Sequence, residues 1–173
     1  MIEQVELRPV QPSDAEMLAR LFTEQREFLA PFDPDRPEGF FTVAGQRSDL
    51  EQSVIQRQAD LRHRFLIVLD GRAVGVLSVS NLVRGPFQSA NLGYWVAQQV
   101  NGRGVATRAV GEACRWAFGP AGLHRLEAGT LTDNVASQRV LERNGFERIG
   151  LAPRYLHIAG DWRDHVLFQR IAP

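Results

Sequence analysis

The chain has 173 residues, with 20 basic and 20 acidic side chains and a formal net charge of zero. No overall field therefore draws it onto nucleic acid or an anionic membrane, and no apolar run approaches the roughly 20 residues that a spanning helix needs. A hydrophobic content of 44% fits one folded domain over residues 1–173, and the lone Cys114 excludes an internal disulfide and points to a reducing, cytoplasmic setting. The N-terminus has no secretory leader pattern. His63, His124, His157, His165 and Cys114 show no metal-ligand spacing, so no metal is expected.

In chain order, Val5-Glu6-Leu7-Arg8 alternates and predicts a first strand. Pro12 and Ser13 open a helix. Ser13 and Glu16 have capping-box spacing, and Met17, Leu18, Leu21, Phe22, Phe28 and Leu29 supply the buried face. Pro31, Pro34 and Pro37 end that helix and predict a stiff loop over 31–38. A second helix is expected over 43–61, with Leu50, Val54 and Leu61 turned to the core. Residues 65–69 form a buried strand, Asp70-Gly71 a hairpin turn, and 73–79 the return strand. Arg84-Gly85-Pro86-Phe87 then leads to a third apolar strand at 92–96.

After that strand comes Gln99-Val100-Asn101-Gly102-Arg103-Gly104-Val105-Ala106, followed by Ala109, Val110, Ala113, Trp116 and Ala117 at helical spacing. A strand, a glycine loop and a helix thus follow one another. Gly102 and Gly104 leave no side chain above the amides. The first amides of the helix lack internal partners, and its dipole adds positive charge there. This is a site for phosphate or pyrophosphate. The loop has neither the lysine of a Walker sequence nor the third glycine of a dinucleotide fingerprint, where Thr107 stands. Beyond it lie a break at Gly119-Pro120-Ala121-Gly122, a strand at 125–130, a short helix at 136–144 capped by Gly145, and a final hairpin of 146–157 with 162–170 around Gly160. The order β-α-α-β-β-β-α-β-α-β-β describes an α+β, three-layer fold around one mixed, mostly antiparallel sheet.

The spacing Gln99-x-x-Gly102-x-Gly104 resembles the acetyl-CoA loop of the GCN5-related N-acetyltransferase (GNAT) superfamily. Asn134-Val135-Ala136-Ser137 and Val140-Leu141-Glu142-Arg143-Asn144-Gly145-Phe146 resemble its second conserved block. Three further stretches are similar to the RimJ and RimL group, which acetylates ribosomal-protein N-termini. These are Glu27-Phe28-Leu29-Ala30-Pro31-Phe32, Ser80-Asn81-Leu82-Val83-Arg84-Gly85-Pro86-Phe87 and Gly160-Asp161-Trp162-Arg163-Asp164-His165-Val166-Leu167. The resemblance implies direct acetyl transfer from acetyl-CoA to an amine. It also implies that the pantetheine lies between two parallel strands that splay apart, here 92–96 and 125–130.

Carried over by position, the backbone of Gly102, Arg103, Gly104, Val105 and Ala106, entered through Gln99, holds the pyrophosphate. A main-chain N–H at Trp95 or Val96 polarises the carbonyl, and Asn134 contacts the pantetheine. The family's donor tyrosine is replaced by Leu141, so Ser137 becomes the donor to the thiolate. Ala90 and Asn91 stand where many members carry a basic glutamate. Glu127, Asp164, His157 and His165 are the candidate bases, with Asp164 placed among the catalytic residues. The expected acceptor is a protein N-terminal α-amine. A small amine is the alternative, and a non-catalytic acyl-CoA-binding protein the third reading. The acidic residues Asp33, Asp35 and Glu38 could meet a basic substrate, and a homodimer is left open.

Overall fold

The computed structural model describes residues 4–173, so the first three residues of the expected 1–173 domain lie outside the described residues. Seven strands form one sheet: β1 (Val5–Pro9), β2 (Arg62–Leu69), β3 (Arg72–Val83), β4 (Ser89–Val96), β5 (Arg125–Leu131), β6 (Glu147–Ile158) and β7 (Asp161–Ile171). Their spatial order is β1-β2-β3-β4-β5-β7-β6, with β7 inserted between β5 and β6. Every pairing is antiparallel except β4 with β5, the pair joined by a helical crossover. The helices are α1 (Ala15–Glu24), α2 (Arg26–Leu29), α3 (Val43–Gln58), α4 (Val105–Phe118) and α5 (Val135–Arg143). The three-layer α+β architecture is the one expected, and so is its element order apart from a break in the first helix. No helix among the described residues is long and apolar enough to cross a membrane.

The two faces of the sheet are covered for reasons visible in the strands. β2 alternates, so Phe65 packs edge-on to Trp116 of α4, 5.2 Å between centroids, while Arg62 and Arg64 point to the opposite face. On that opposite face Trp95 of β4 meets Phe22 of α1 at 5.0 Å, and Phe22 meets Phe40 at 4.8 Å. α4 buries Val105, Ala109, Val110, Ala113, Cys114 and Ala117, a stripe of mostly small residues that lets the helix lie close to the strands. α5 is tied to α4 by Asn144, whose Nδ2 donates to the carbonyls of Thr107 (3.0 Å) and Val140 (2.9 Å).

Several local expectations are corrected. The Ser13–Glu16 capping box does not form. Pro12 lacks an N–H and takes the first position of a 3-10 turn, so the box moves back and the Asp14 carboxylate accepts the Gln11 N–H at 2.9 Å. The first helix breaks at Gln25 into α1 and α2. α3 stops at Gln58 and the chain turns at Asp60 (φ 54), which leaves Leu61 exposed; Leu50 is fully buried and Val54 half-buried. β3 and β4 run longer than their apolar cores, because backbone pairing continues through polar Ser80, Asn91 and Ser89.

The feature that positions the site is where β4 and β5 stop pairing. Their register covers Ser89–Asn91 against Arg125–Glu127 and goes no further, although β4 runs on to Val96 and β5 to Leu131. β4 is held from its other side by β3, up to Gly75 opposite Val96, and β5 by β7, up to Leu131 opposite His165. Gly75 permits that close hold, since a Cβ there would lie 2.2 Å from the Trp95 carbonyl oxygen. Gly75→Ala should therefore lower stability in urea unfolding by about 1–3 kcal/mol, the usual cost of overpacking; an unchanged midpoint would show that the β3–β4 approach is not tight.

Candidate active site

The loop after β4 is a single 3-10 turn, Gln98–Val100, followed by residues 101–104 and then α4. Gly104 is the N-cap of α4 with φ 72, in the left-handed region that a branched residue resists. Gly102 also has positive φ, and a Cβ there would meet only open space. The first helical bond runs from the Arg108 N–H to the Gly104 carbonyl at 3.0 Å. The amides of Val105, Ala106 and Thr107 precede it, in the turn whose N–H groups have no carbonyl behind them. They sit at the positive end of a 14-residue helix. Bare glycines in front of unpaired helical amides fit a diphosphate.

Gln99 is engaged within the protein through its side-chain oxygen. Its Oε1 accepts from Gln25 Nε2 at 3.1 Å, while Gln25 Oε1 accepts the Gln98 N–H at 2.9 Å. Gln25 is fully buried at the break between α1 and α2. It therefore braces the glycine loop against the first helix. Sequence reading missed this residue; the signal was a polar side chain at a position where the helical stripe expects an apolar one.

The gap between β4 and β5 opens into a cavity of about 380 Å³. Along β4, successive N–H groups alternate between the two edges. The Ala97 N–H donates to Val74 on the β3 side (2.7 Å), so the amides of Val96, Tyr94 and Leu92 face the gap and that of Trp95 faces β3. Trp95 lines the cavity with its ring, whereas the Val96 side chain is buried outside it. Asn134 is the N-cap of α5, its Oδ1 accepting the Ser137 N–H at 3.2 Å, and Asn134, Ser137 and Leu141 all line the cavity. Leu141 is fully buried.

Tyr94 is the residue that sequence reading did not single out. Its hydroxyl lies 2.9 Å from Ser137 Oγ and 3.2 Å from the Ser137 carbonyl oxygen. Burial pushes its pKa up to about 12 against the opposing effect of the Ser137 hydrogen bond, so the phenol stays protonated. Alternation along β4, which separates Tyr94 from Gly93 and Trp95, was the available signal.

The four candidate bases part company. His165 is buried and lines the cavity; its Nδ1 lies 3.0 Å from the Arg163 carbonyl. A carbonyl only accepts, so this bond needs the proton on Nδ1, and Nε2 of the neutral ring is then the acceptor. Asp164 is exposed on the other face of β7, where Oδ1 accepts the Arg154 N–H at 2.8 Å. Asp164 thus lies on the side of β7 away from the cavity, because a strand turns adjacent side chains to opposite faces. His157 stacks edge-on against Trp162 at 5.5 Å, and Glu127 lies 3.8 Å from Arg125 below the parting of the strands; neither lines the cavity. In the acidic loop, Asp33 pairs with Arg36 at 2.9 Å and Glu38 with Arg26 of α2, while the exposed Asp35 lies outside both pairs.

Residues 4–147 match the family described as the acetyltransferase (GNAT) domain. The chain belongs to the GNAT acetyltransferases. It is 35% identical to the probable N-acetyltransferase YjcK of Bacillus subtilis, over 96% of this chain and 93% of that protein. It is 34% identical to the [ribosomal protein uS5]-alanine N-acetyltransferase of Escherichia coli, over 99% and 89%. Mycobacterium smegmatis RimJ in complex with CoA-disulfide superposes with a TM-score of 0.94 at 34% identity, covering 97% of this chain and 82% of that one. This GNAT protein is an N-acetyltransferase that uses acetyl-CoA as its co-substrate.

Two outcomes check the site. Gly104→Val places a branched residue at φ 72 and a side chain over the amides, and should weaken CoA binding roughly tenfold or more; unchanged affinity by calorimetry would overturn the loop assignment. Tyr94 has a folded pKa above its ordinary 10.0, so its contribution to stability is complete below pH 10 and is lost as pH rises toward about 12. Tyr94→Phe should therefore flatten the alkaline fall in stability over that interval by an amount on the order of 2 kcal/mol, and an identical alkaline curve for the variant would contradict the burial of the phenol.

Proposed function

We propose that the acceptor is the α-amine of a protein N-terminus, with a ribosomal protein as the class suggested by the uS5-alanine N-acetyltransferase relative. The observation that carries this reading is the absence of an available carboxylate. Among the described residues, the carboxylates lining the cavity are Asp33 and Asp49, and each is ion-paired with an arginine. A lysine side chain, with a pKa near ~10.4, needs a strong base at neutrality, whereas an α-amine near ~7.7–8.0 is already partly neutral. His165 Nε2 suffices for such an amine, and it takes the proton released as the C–N bond forms.

Bound in the gap, acetyl-CoA supplies the acyl group and a thiolate leaving group. The Val96 N–H, directed into the gap, is the donor to the developing oxyanion, in place of Trp95. Tyr94 donates to Ser137 Oγ, which frees the Ser137 proton for the sulfur as the C–S bond breaks. Asn134 holds the start of α5 so that Ser137 faces β4. The amides of residues 102–106 hold the diphosphate.

One observation favours the second reading, a small amine. A peptide would need an open channel between the loop at 31–38 and the β6–β7 hairpin, and that space is bridged, because the Ala159 N–H donates to the Asp33 carbonyl at 3.1 Å. A peptide must thread beneath this bridge or displace it, whereas a small amine need not. Mass spectrometry after incubation with acetyl-CoA separates the two. Peptides with a free N-terminus should gain one acetyl group on the α-amine and polyamines none; acetylation of small amines alone would overturn the proposal. Ser137→Ala and His165→Gln should each lower kcat by roughly 10- to 100-fold while leaving CoA affinity intact, and full turnover in either variant would remove that residue from the mechanism.

A further inference from the structure

The cavity also carries charge that acetyl transfer does not use. Arg62 and Arg64 lie two residues apart on β2, point to the same face of the sheet and both line the cavity. Register places Arg64 opposite Ser78 on β3, and Ser78 opposite Gly93 on β4. With strands about 4.8 Å apart, Arg64 rises roughly 10 Å from the gap wall. Arg62 reaches closer, since its Nη2 donates to Ser78 Oγ at 3.2 Å.

The charges there do not balance. Arg64, only 4% exposed, is ion-paired with Asp49, and Arg36 with Asp33. Arg62 has no carboxylate partner of its own among the described residues, and its Nε is buried without a hydrogen bond, as is the Nε of Arg64. Burial, opposed by Asp49 but reinforced by the nearby Arg64 and Arg36 guanidiniums, lowers the Arg62 pKa. A half-buried cation with no counter-charge is costly until an anion joins it. The planar N–H fork of arginine matches a carboxylate.

We propose that Arg62 and Arg64 form an anion subsite that receives a carboxylate carried by the acceptor close to its reacting amine. This carboxylate is an acidic side chain within the first residues of a protein N-terminus, or the carboxylate of a free amino acid. The inference rests on the reading that this cavity holds the acceptor amine. It differs from the expectation of a basic substrate at the acidic loop, because inside the cavity Asp33 and Asp49 are each held by an arginine while Arg62 is left over.

The test separates binding from turnover. Alanine-led peptides with Glu at the second or third residue, their Gln counterparts and free glutamate are titrated into CoA-loaded protein by calorimetry and, in parallel, incubated with acetyl-CoA. A Glu peptide should bind roughly tenfold or more tightly than its Gln counterpart, the scale of a charge-assisted pair. Arg62→Gln should bring that ratio to about one while CoA affinity is retained, and Arg62→Lys should keep part of it. If free glutamate binds and the peptides do not, the carboxylate chemistry stands and its source is a small amino acid. Equal affinity for Glu and Gln peptides, binding of none of these probes, or a Glu preference that survives Arg62→Gln would each overturn the subsite. Peptides that bind with the Glu preference yet are never acetylated would instead sink the reading of an N-terminal acceptor and leave the subsite standing.

Discussion

Everything in this molecule turns on two parallel strands that begin as partners and then part. β4 and β5 share three residue pairs and diverge after Asn91 and Glu127. An unpaired strand edge in a protein interior is costly, since backbone N–H and C=O groups need partners. Here the edge is stabilised from outside, β4 by β3 and β5 by β7, so that each strand keeps one complete ladder while the facing edges stay open. The gap is thus a row of main-chain donors and acceptors, which the proposed function assigns to the amide-bearing arm of a pantetheine. A strand edge and the start of α5 supply polarity on one side of the cavity, and Asp33, Arg36, Asp49, Arg62 and Arg64 bring charge to it.

The polar side chains that do line the gap act mostly on one another. Tyr94 and Ser137 join β4 to α5 by a short hydrogen bond, and Asn134 caps the helix that carries Ser137. Gln25 performs the equivalent task for the glycine loop, from a helix some seventy residues earlier in the chain. Each contact costs side-chain entropy to hold and contributes modest free energy. Their value is positional, because transfer between two bound molecules depends on alignment. The face proposed for the acceptor is organised differently, by guanidinium groups packed against a half-buried sheet face with fewer carboxylates than cations.

The α+β class, the order of elements and the helix after the glycine loop were legible in the sequence, because they rest on local rules, whereas the parting of the strand pair was implied by the family resemblance alone. Alternation marks strands, a 3.6-residue stripe marks α4, and Gly102 with Gly104 marks a backbone that has to turn without side chains. Absences were legible too: Leu141 where a donor tyrosine stands in many relatives, and Ala90 and Asn91 where a glutamate does. The sequence by itself thus determined the family and the place of the glycine loop, and it suggested an unusual proton donor and base.

Tertiary structure alone decided which residues meet. His165 and Asp164 are neighbours in sequence and both titratable, yet the two-residue period of β7 sends one into the cavity and the other to solvent. Tyr94 became significant only when α5 brought Ser137 over β4, and Gln25 only when a broken helix set it against Gln98 and Gln99. The surplus cation at Arg62 depends on Asp49 reaching Arg64 and on Asp33 being held by Arg36. Such pairings depend on side chains far apart in the chain and on the face each strand turns inward, information that no window of sequence contains.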